Sequence, residues 1–395
     1  MTTRSASLLR TRDGHEAAVS AVELFFDLVY VFAVTQLSHR LLENLTMTGA
    51  VETLVLWFAV WLGWQYTCWF TNWFDPDATP VRLVLFGVML LGMVMAAAIP
   101  DAFGLRGMVF AVCYVAMQVG RTLFIVLSLP RKHPLAANFA RILGWLCIAA
   151  VFWIAGGLSD GTQRLLFWSA AAACEYFAPM IGFWLPGAGR SQTSDWTIEG
   201  GHFAERCQLF VIVALGESIL VTGATLSGTI IWHQQALLVF LVAFLASVAM
   251  WWIYFNVGSH AGRQAITHSP DPGRLGAAFH YVHATLVGGV IVMAVATELW
   301  IAHPAAHADW IEVVVSVAGA SIYLVGNGIY KGVVYGRFPL SHVLGLAALA
   351  LLLPFAADLS MLALGGSVTA ILMFVAAWET VSRRSTQAAA EAQHT

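Results

Sequence analysis

The chain is a succession of long apolar segments separated by short polar loops. Twelve such runs span residues 20–42, 51–73, 81–99, 107–128, 138–158, 163–185, 204–226, 234–257, 275–300, 309–331, 340–358 and 361–381. Breakers such as Asp75-Pro-Asp77 and Ser269-Pro-Asp-Pro-Gly273 separate them. Because a hydrocarbon core of about 30 Å needs about 20 apolar residues per helix, the pattern predicts an all-α polytopic membrane protein with about 12 transmembrane helices.

The composition agrees with this class and excludes others. Hydrophobic residues make up 59% of the chain and charged residues 10%, whereas soluble domains carry about 25% charged residues. The net charge of −3, without a basic cluster, argues against nucleic acid as a partner. The lipid bilayer is therefore the expected partner, and the oligomeric state is left open.

The cationic residues predict how the chain is oriented in the membrane. Twelve spans would place both termini on one side, and 15 of the 19 Lys and Arg residues fall in the tails and loops of that side. Three fall in the opposite loops, and Arg121 lies within a span. Since positive charge accumulates on the cytoplasmic side, both termini are predicted to be cytoplasmic.

Matching positions in the two halves indicate an internal duplication. Glu23 opens the first run and Glu205 the seventh, while Ala172-Ala173-Cys174-Glu175 in the sixth resembles Ala376-Ala377-Trp378-Glu379 in the twelfth. Six helices per copy is an even number, so the two repeats would be parallel. The predicted divisions are an N-terminal tail, a first repeat, a linker, a second repeat and a C-terminal tail, at 1–19, 20–185, 186–203, 204–381 and 382–395.

Five carboxylates and one arginine lie where hydrocarbon is expected. They are Glu23, Asp27, Arg121, Glu175, Glu205 and Glu217. A charge near the bilayer centre costs about 2.5–3.5 kcal/mol on insertion scales, so such residues are candidates for an ion or solute path. Glu23 could instead cap its helix, and Arg121 could form a structural pair with one of the acids. One arginine cannot neutralise Asp27, Glu175 and Glu217 together, however. The surplus acids would be protonated, hydrated or bound to a cation.

Two further patterns involve histidine and glycine residues. His280 and His283 share a helix face and could relay protons, but without a known third ligand they are a weak metal signal. No metal, cofactor or catalytic residue is predicted, and the chain is not expected to be an enzyme. Gly328-x-x-x-Gly332 predicts close helix packing.

Three segments carry a resemblance to a known family. They are Val22-Glu-Leu-Phe-Phe-Asp-Leu-Val-Tyr-Val-Phe-Ala-Val-Thr-Gln-Leu37, Gly63-Trp-Gln-Tyr-Thr-Cys-Trp-Phe-Thr-Asn-Trp-Phe-Asp-Pro-Asp77 and Glu205-Arg-Cys-Gln-Leu-Phe-Val-Ile-Val-Ala-Leu-Gly-Glu-Ser-Ile219. The chain closely resembles the bacterial low temperature requirement A family over roughly residues 15–385. The resemblance implies a bacterial inner-membrane protein connected with growth in the cold. It assigns no activity and no site residues.

A second, fainter resemblance concerns Phe25-Phe26-Asp27. Endolysosomal potassium channels built from two six-helix repeats carry Phe-Ser-Asp in their first helix. In the second half of this chain Leu209 falls opposite Asp27, so the motif is not repeated.

Three functions fit these observations. The leading one is a transporter or channel for a cation or small solute that uses the intramembrane carboxylates. The alternatives are a non-catalytic membrane sensor or assembly factor for cold growth and a lipid-modifying membrane enzyme.

Overall fold

The computed structural model describes residues 8–12, 17–228, 234–256 and 259–394, and helices make up most of them. Parts of the predicted tails, residues 1–7, 13–16 and 395, lie outside the described residues, as does residue 257 at the end of the eighth predicted run. Thirteen α-helices lie within the described ranges: α1 Ala21–Glu43, α2 Met47–Trp73, α3 Thr79–Ala98, α4 Gly107–Ser128, α5 Ala136–Leu158, α6 Gly161–Met180, α7 Gly200–Gly228, α8 Gln234–Phe255, α9 Ser259–Thr267, α10 Pro272–Ala302, α11 Trp310–Tyr335, α12 Leu340–Ala356 and α13 Met361–His394.

Each predicted run coincides with one helix, but not every one of these helices meets the length and hydropathy expected of a membrane span. Ten helices in the described part of the chain are long and apolar enough to cross a membrane. The helix α12 is apolar but shorter, and α6 is not among the ten. Two differences from the prediction are the short α9, in the segment before the ninth predicted run, and the helical course of α13 through the predicted C-terminal tail.

The helix ends are set by local capping. At the start of α1 the Glu23 carboxylate accepts hydrogen bonds from the backbone N–H and hydroxyl of Ser20, at 2.9 and 2.8 Å. At the start of α11 the Asp309 carboxylate accepts from the Glu312 N–H at 2.8 Å. The same helix ends at Gly336, whose φ of 73° is the left-handed conformation that glycine adopts at little cost.

The chain divides into two compact units. The first contains residues 1–206 and 266–277, and the second contains 207–265 and 278–395. The helices α1 to α6 belong to the first unit, in which α3, α4, α5 and α6 pack one against the next and α1 packs on α2 and α3. In the second unit α8 packs on α13, and α11 and α12 pack on each other and on α13. The duplication into two six-helix repeats remains a prediction.

Glycines allow two helices of the second unit to approach each other closely. A Cβ atom on Gly326 of α11 would lie 2.7 Å from the Leu286 backbone nitrogen of α10, and one on Gly319 would lie 2.8 Å from that of Met293. The Gly328-x-x-x-Gly332 pattern does not mark this contact. Gly328 faces the Phe338 ring in the loop after α11, and the nearest atom to a Cβ on Gly332 is at 4.0 Å. The Gly-x-x-x-Gly pattern indicated the wrong glycines, because the face of α11 that contacts α10 carries Gly319 and Gly326, which are seven residues apart.

Candidate functional site

The first unit contains a buried group of charges where α1 and α7 begin and α2 ends. Its members, called here the Asp27 cluster, are Arg10, Glu23, Asp27, Trp64, Cys68, Asn72, His202 and Arg206. Glu23 and Asp27 lie one turn apart and share a face of α1, as their spacing predicted. Both are buried, with 0% and 2% exposure.

Glu23 is both a helix cap and an ion-pair partner. One oxygen of its carboxylate accepts from Ser20 and from Arg10 Nη2 at 3.1 Å, and the other lies 2.9 Å from His202 Nε2. The amide nitrogen of Asn72 lies 3.2 Å from the other ring nitrogen of His202. Because that amide can only donate, it selects the imidazole form whose Nε2–H points at Glu23.

A short extended segment covers this end of the cluster. Leu9 forms an antiparallel bridge with Phe74, and the Arg10 N–H donates to the Trp73 carbonyl at 2.9 Å. The Arg10 side chain donates from Nε to the Thr71 carbonyl at 2.6 Å and from Nη2 to Glu23. Residues 8–12 therefore lie across the end of α2 as an N-terminal strap.

Asp27 is held deeper in the bundle by α2 and α7. Its Oδ1 accepts from Trp64 Nε1 and from Arg206 Nη2, both at 2.8 Å. The Arg206 guanidinium lies over the Phe26 and Trp64 rings, with centroid distances of 5.9 and 5.8 Å. Ring faces attract a cation, so the aromatic residues near Asp27 help to hold its counter-charge.

The Asp27–Arg206 pair is only partly satisfied. Asp27 Oδ2 and the Arg206 atoms Nε and Nη1 are buried and have no hydrogen-bond partner among the described residues. Leaving such a group unsatisfied costs about 1–3 kcal/mol, and more when it is charged. A buried polar group left unsatisfied in a native structure calls for an explanation, such as a bound water, a bound ligand or a catalytic role.

A second buried group surrounds Glu175 of α6. Its members, the Glu175 cluster, are Thr67, Tyr114, Gln118, Arg121, Trp153 and Glu175. The Glu175 carboxylate accepts from Tyr114 Oη at 2.6 Å and Trp153 Nε1 at 2.8 Å, with Gln118 Nε2 at 3.4 Å. Three neutral donors thus surround an acid that carries no direct ion pair in the described structure.

Arg121 does not form the carboxylate pair that the sequence left open. Its guanidinium donates to Gln118 Oε1 at 2.5 Å and to Thr67 Oγ1 at 2.9 Å, and no described carboxylate lies within ion-pair distance. The Gln118 amide separates it from Glu175, accepting from the arginine on one side and donating toward the acid on the other.

One segment of α2 lies between the two clusters. Trp64 and Cys68 contact the Asp27–Arg206 pair, and Thr67 contacts Arg121. Neighbouring residues on a helix point about 100° apart, so this segment presents one face to each cluster. The polar side chains of the first unit therefore extend from Arg10, beside the end of α2, through both clusters to Glu175 in α6.

The remaining predicted site residues belong elsewhere. Glu205 is half-buried beside Arg206, whereas Glu217 is buried in the second unit with 2% exposure. His283 lies 2.7 Å from the Tyr254 hydroxyl and 2.7 Å from the Phe279 carbonyl, within an aromatic group of the second unit. His280 is buried one turn before it. The two histidines thus belong to the second unit, whereas the Asp27 cluster belongs to the first.

Two members of the Asp27 cluster were assigned otherwise by the sequence. Arg206 was counted as a cytoplasmic loop residue, but it lies within α7 and is 1% exposed. His202 precedes the seventh predicted run and is the third residue of α7. The signal for Arg206 was its position inside an apolar run, between Phe203-Ala204 and Leu209-Phe210.

The second unit has a buried ion pair that the sequence did not single out. Lys331 of α11 donates to Glu379 of α13 and to the Ile253 carbonyl, the latter at 3.0 Å. Ser341 and His342 at the start of α12 lie near the other Glu379 oxygen, at 3.4 and 3.5 Å. An acid of the last helix is here compensated directly by a cation.

Apolar helices of membrane-spanning length, with charges enclosed between them, define a multi-pass helical membrane protein. The family model for the bacterial low temperature requirement A protein matches residues 18–377. The chain belongs to this family, as the sequence resemblance indicated.

The chain is also similar to a curated protein over most of its length. An uncharacterized protein of Rhizobium meliloti (strain 1021) is 39% identical over 380 residues, which cover 95% of this chain and 92% of that protein. No solved structure matches the chain.

Proposed function

We propose that this protein is a transporter of the bacterial inner membrane that moves a small polar solute together with protons. The observation that carries the proposal is the buried, partly satisfied Asp27–Arg206 pair. One carboxylate oxygen and two guanidinium nitrogens without partners among the described residues offer an acceptor and donors to the same ligand. A solute that carries both a donor and an acceptor matches these atoms better than a bare metal cation does.

The Glu175 cluster supports the proton part of the proposal. A carboxylate surrounded by Tyr114, Trp153 and Gln118, with Arg121 kept one amide away, is not held charged by an ion pair. Such an acid can exchange a proton at lower cost than an acid held in a direct salt bridge. Movement of Arg121, or of the Gln118 amide between it and Glu175, would change the electrostatic field at Glu175. Such a movement could couple protonation of Glu175 to solute binding.

The buried acids of the Asp27 cluster already have basic partners, which argues against a simple cation channel. Glu23 is paired with His202 and Arg10, and Asp27 with Arg206. A permeating cation would have to compete with guanidinium groups already in place. This is why, of the two ligand types expected from sequence, we favour the small solute.

The test is proton flux in proteoliposomes that contain a pH-sensitive dye, measured on addition of each member of a panel of amino acids, amides, polyols and organic acids. At least one solute is expected to drive flux in wild type and to raise its melting temperature in detergent. Asp27→Asn and Arg206→Gln should abolish both effects, whereas Glu175→Gln should keep the melting shift and lose the flux. Asp77→Asn is the matched control, because that carboxylate is 75% exposed and pairs with Arg82 at the surface.

Other results would contradict the proposal. Solute responses that are identical in wild type and folded Asp27→Asn would remove Asp27 from the site. A protein that responds to no solute, but keeps a stable partner on purification from membranes, would favour the assembly-factor alternative. An equal response to monovalent cations in wild type and Arg206→Gln would favour a channel.

A further inference from the structure

The first unit has an open pocket where α6 ends, apart from both buried clusters. Its volume is about 600 Å³, and its lining includes Met180, Gly182, Trp184, Arg190 and Ser191. The pocket thus combines apolar side chains, one cation and the backbone of a loop. None of these residues has a role in the transport proposal.

The loop that forms the pocket is well fixed. The Ser191 N–H donates to the Gly182 carbonyl at 2.7 Å, and the Phe183 N–H to that of Ala178 at 2.7 Å. Gly182 has a φ of 65°, and a Cβ there would lie 2.3 Å from the Ser191 carbonyl oxygen, so the turn requires glycine. The pocket is therefore present before any ligand binds.

A buried arginine supports the floor of this loop. Arg141 of α5 donates to the Ala188 carbonyl at 3.0 Å and to the Ser191 hydroxyl at 3.0 Å, and also to Asn138. Its partners are neutral, so the positive charge beneath the loop is not cancelled by a direct ion pair in the described structure. The carboxylate of Asp195, after the loop, accepts from the Gln192 N–H at 2.8 Å within its own turn.

The lining places a cation beside exposed apolar surface. Arg190 is exposed and forms no side-chain hydrogen bond or ion pair with the described residues. Met180 and Trp184 are 67% and 51% exposed. Tryptophan beside a cation at the end of a membrane helix is typical of the headgroup region of a bilayer.

We propose that this pocket binds the headgroup of an anionic phospholipid. The Arg190 guanidinium would take the phosphate, for which its planar pair of donors is suited, and the acyl chains would lie along Met180 and Trp184. The loop is on the predicted cytoplasmic side, where anionic lipids give a negative surface. The proposal is independent of the transported solute.

The test is native mass spectrometry of the full chain titrated with phosphatidylglycerol and, separately, with phosphatidylcholine. Phosphatidylglycerol is expected to bind more tightly. Arg190→Gln should weaken its binding about fivefold, the factor that corresponds to about 1 kcal/mol for one cation at a lipid surface, and leave phosphatidylcholine unchanged. Arg337→Gln is the matched control, since Arg337 is also exposed in a loop on the predicted cytoplasmic side and should leave both affinities unchanged.

A second arm separates a lipid from a free anion. Inorganic phosphate at millimolar concentration should not displace phosphatidylglycerol, and Trp184→Ala should weaken lipid binding because the apolar contact is lost. Equal affinity for the two lipids, or an unchanged phosphatidylglycerol affinity in Arg190→Gln, would overturn the proposal. Displacement of the lipid by phosphate would instead identify a free-anion site.

Discussion

Arg206 of α7 donates to Asp27 of α1 at 2.8 Å, and both side chains are at most 2% exposed. The two residues are far apart in sequence and join the first and seventh helices within unit one. Because Trp64 donates to the same oxygen, α2 is fixed to the pair as well. This charged contact therefore joins the three apolar helices α1, α2 and α7.

Removing either partner of this pair should destabilise the protein strongly. A buried charge left alone costs about 3–5 kcal/mol, so Asp27→Leu and Arg206→Met should each lower the free energy of unfolding by an amount of this order. The double substitution should cost less than the sum of the two, since no charge remains unpaired. Denaturant unfolding in detergent micelles measures all three.

The exposed Asp77–Arg82 pair provides the comparison. Its side chains are 75% and 41% exposed, and its coupling should be at most about 1 kcal/mol. Additive effects of Asp27→Leu and Arg206→Met would show that the 2.8 Å contact contributes nothing to stability.

The N-terminal strap should depend on Arg10. Arg10→Gln removes the charged contact with Glu23 and weakens the bond to the Thr71 carbonyl. Hydrogen exchange is expected to become faster at the Arg10 and Asp75 amides, which pair with Trp73 and Leu8 in the structure. Arg337→Gln is the control, because Arg337 is exposed in the loop after α11, outside the unit that contains the strap. Equal protection in wild type and Arg10→Gln would mean that the backbone bridge alone holds the strap.

The sequence predicted the helices well because hydrophobic length is a local property. Asp27 and Glu23 stood out for the same reason, as acids inside an apolar run. Their partners were harder to find, since Arg206 lies near the start of its run and was counted in the loop by the charge rule. Which cation pairs with which acid depends on which helices pack together, and a single sequence does not reveal that.

The environment of Arg121 and Glu175 shows a related limit. Both were identified as buried groups, and a direct pair between Arg121 and an acid was the simplest expectation. Gln118 lies one turn from Arg121, and its side-chain oxygen accepts from Arg121 Nη2 in place of a carboxylate. A neutral glutamine in an apolar helix gave no sign of this role in the sequence.

Close packing of α10 and α11 should be sensitive to single methyl groups. Gly326→Ala would place its Cβ about 2.7 Å from backbone atoms of Leu286, so the helices must move apart. Overpacking of this kind costs about 1–3 kcal/mol, and thermal unfolding in detergent should reveal it. Gly366→Ala, with no atom within 4 Å of the new Cβ, should be neutral or slightly stabilising through helix propensity. Similar melting temperatures for the two variants would contradict the close approach.

The helix α6 should cross the membrane even though it is not among the ten candidate spans. Its 20 residues give a length of roughly 30 Å, which matches the hydrocarbon core. Its charged residues are internal: Glu175 is 2% exposed, and Arg164, 3% exposed, donates to the Ala102 and Gly104 carbonyls at 2.9 and 2.6 Å. After its first turn, its exposed large residues are apolar, among them Leu166 and Phe177. Since lipid contacts only the outer face, mean hydropathy underestimates how well such a helix suits a bilayer.

Reporter insertions on either side of α6 test this directly. Alkaline phosphatase inserted after Ser159 should be active, as expected for an external loop, and a fluorescent protein inserted after Gly187 should fluoresce, as expected for the cytoplasm. A C-terminal fluorescent fusion should fluoresce as well, because the predicted number of spans is even. The same reporter behaving alike at both loops around α6 would mean that the helix does not cross, that the spans are fewer than twelve, and that the positive-inside assignment fails for every loop that follows it.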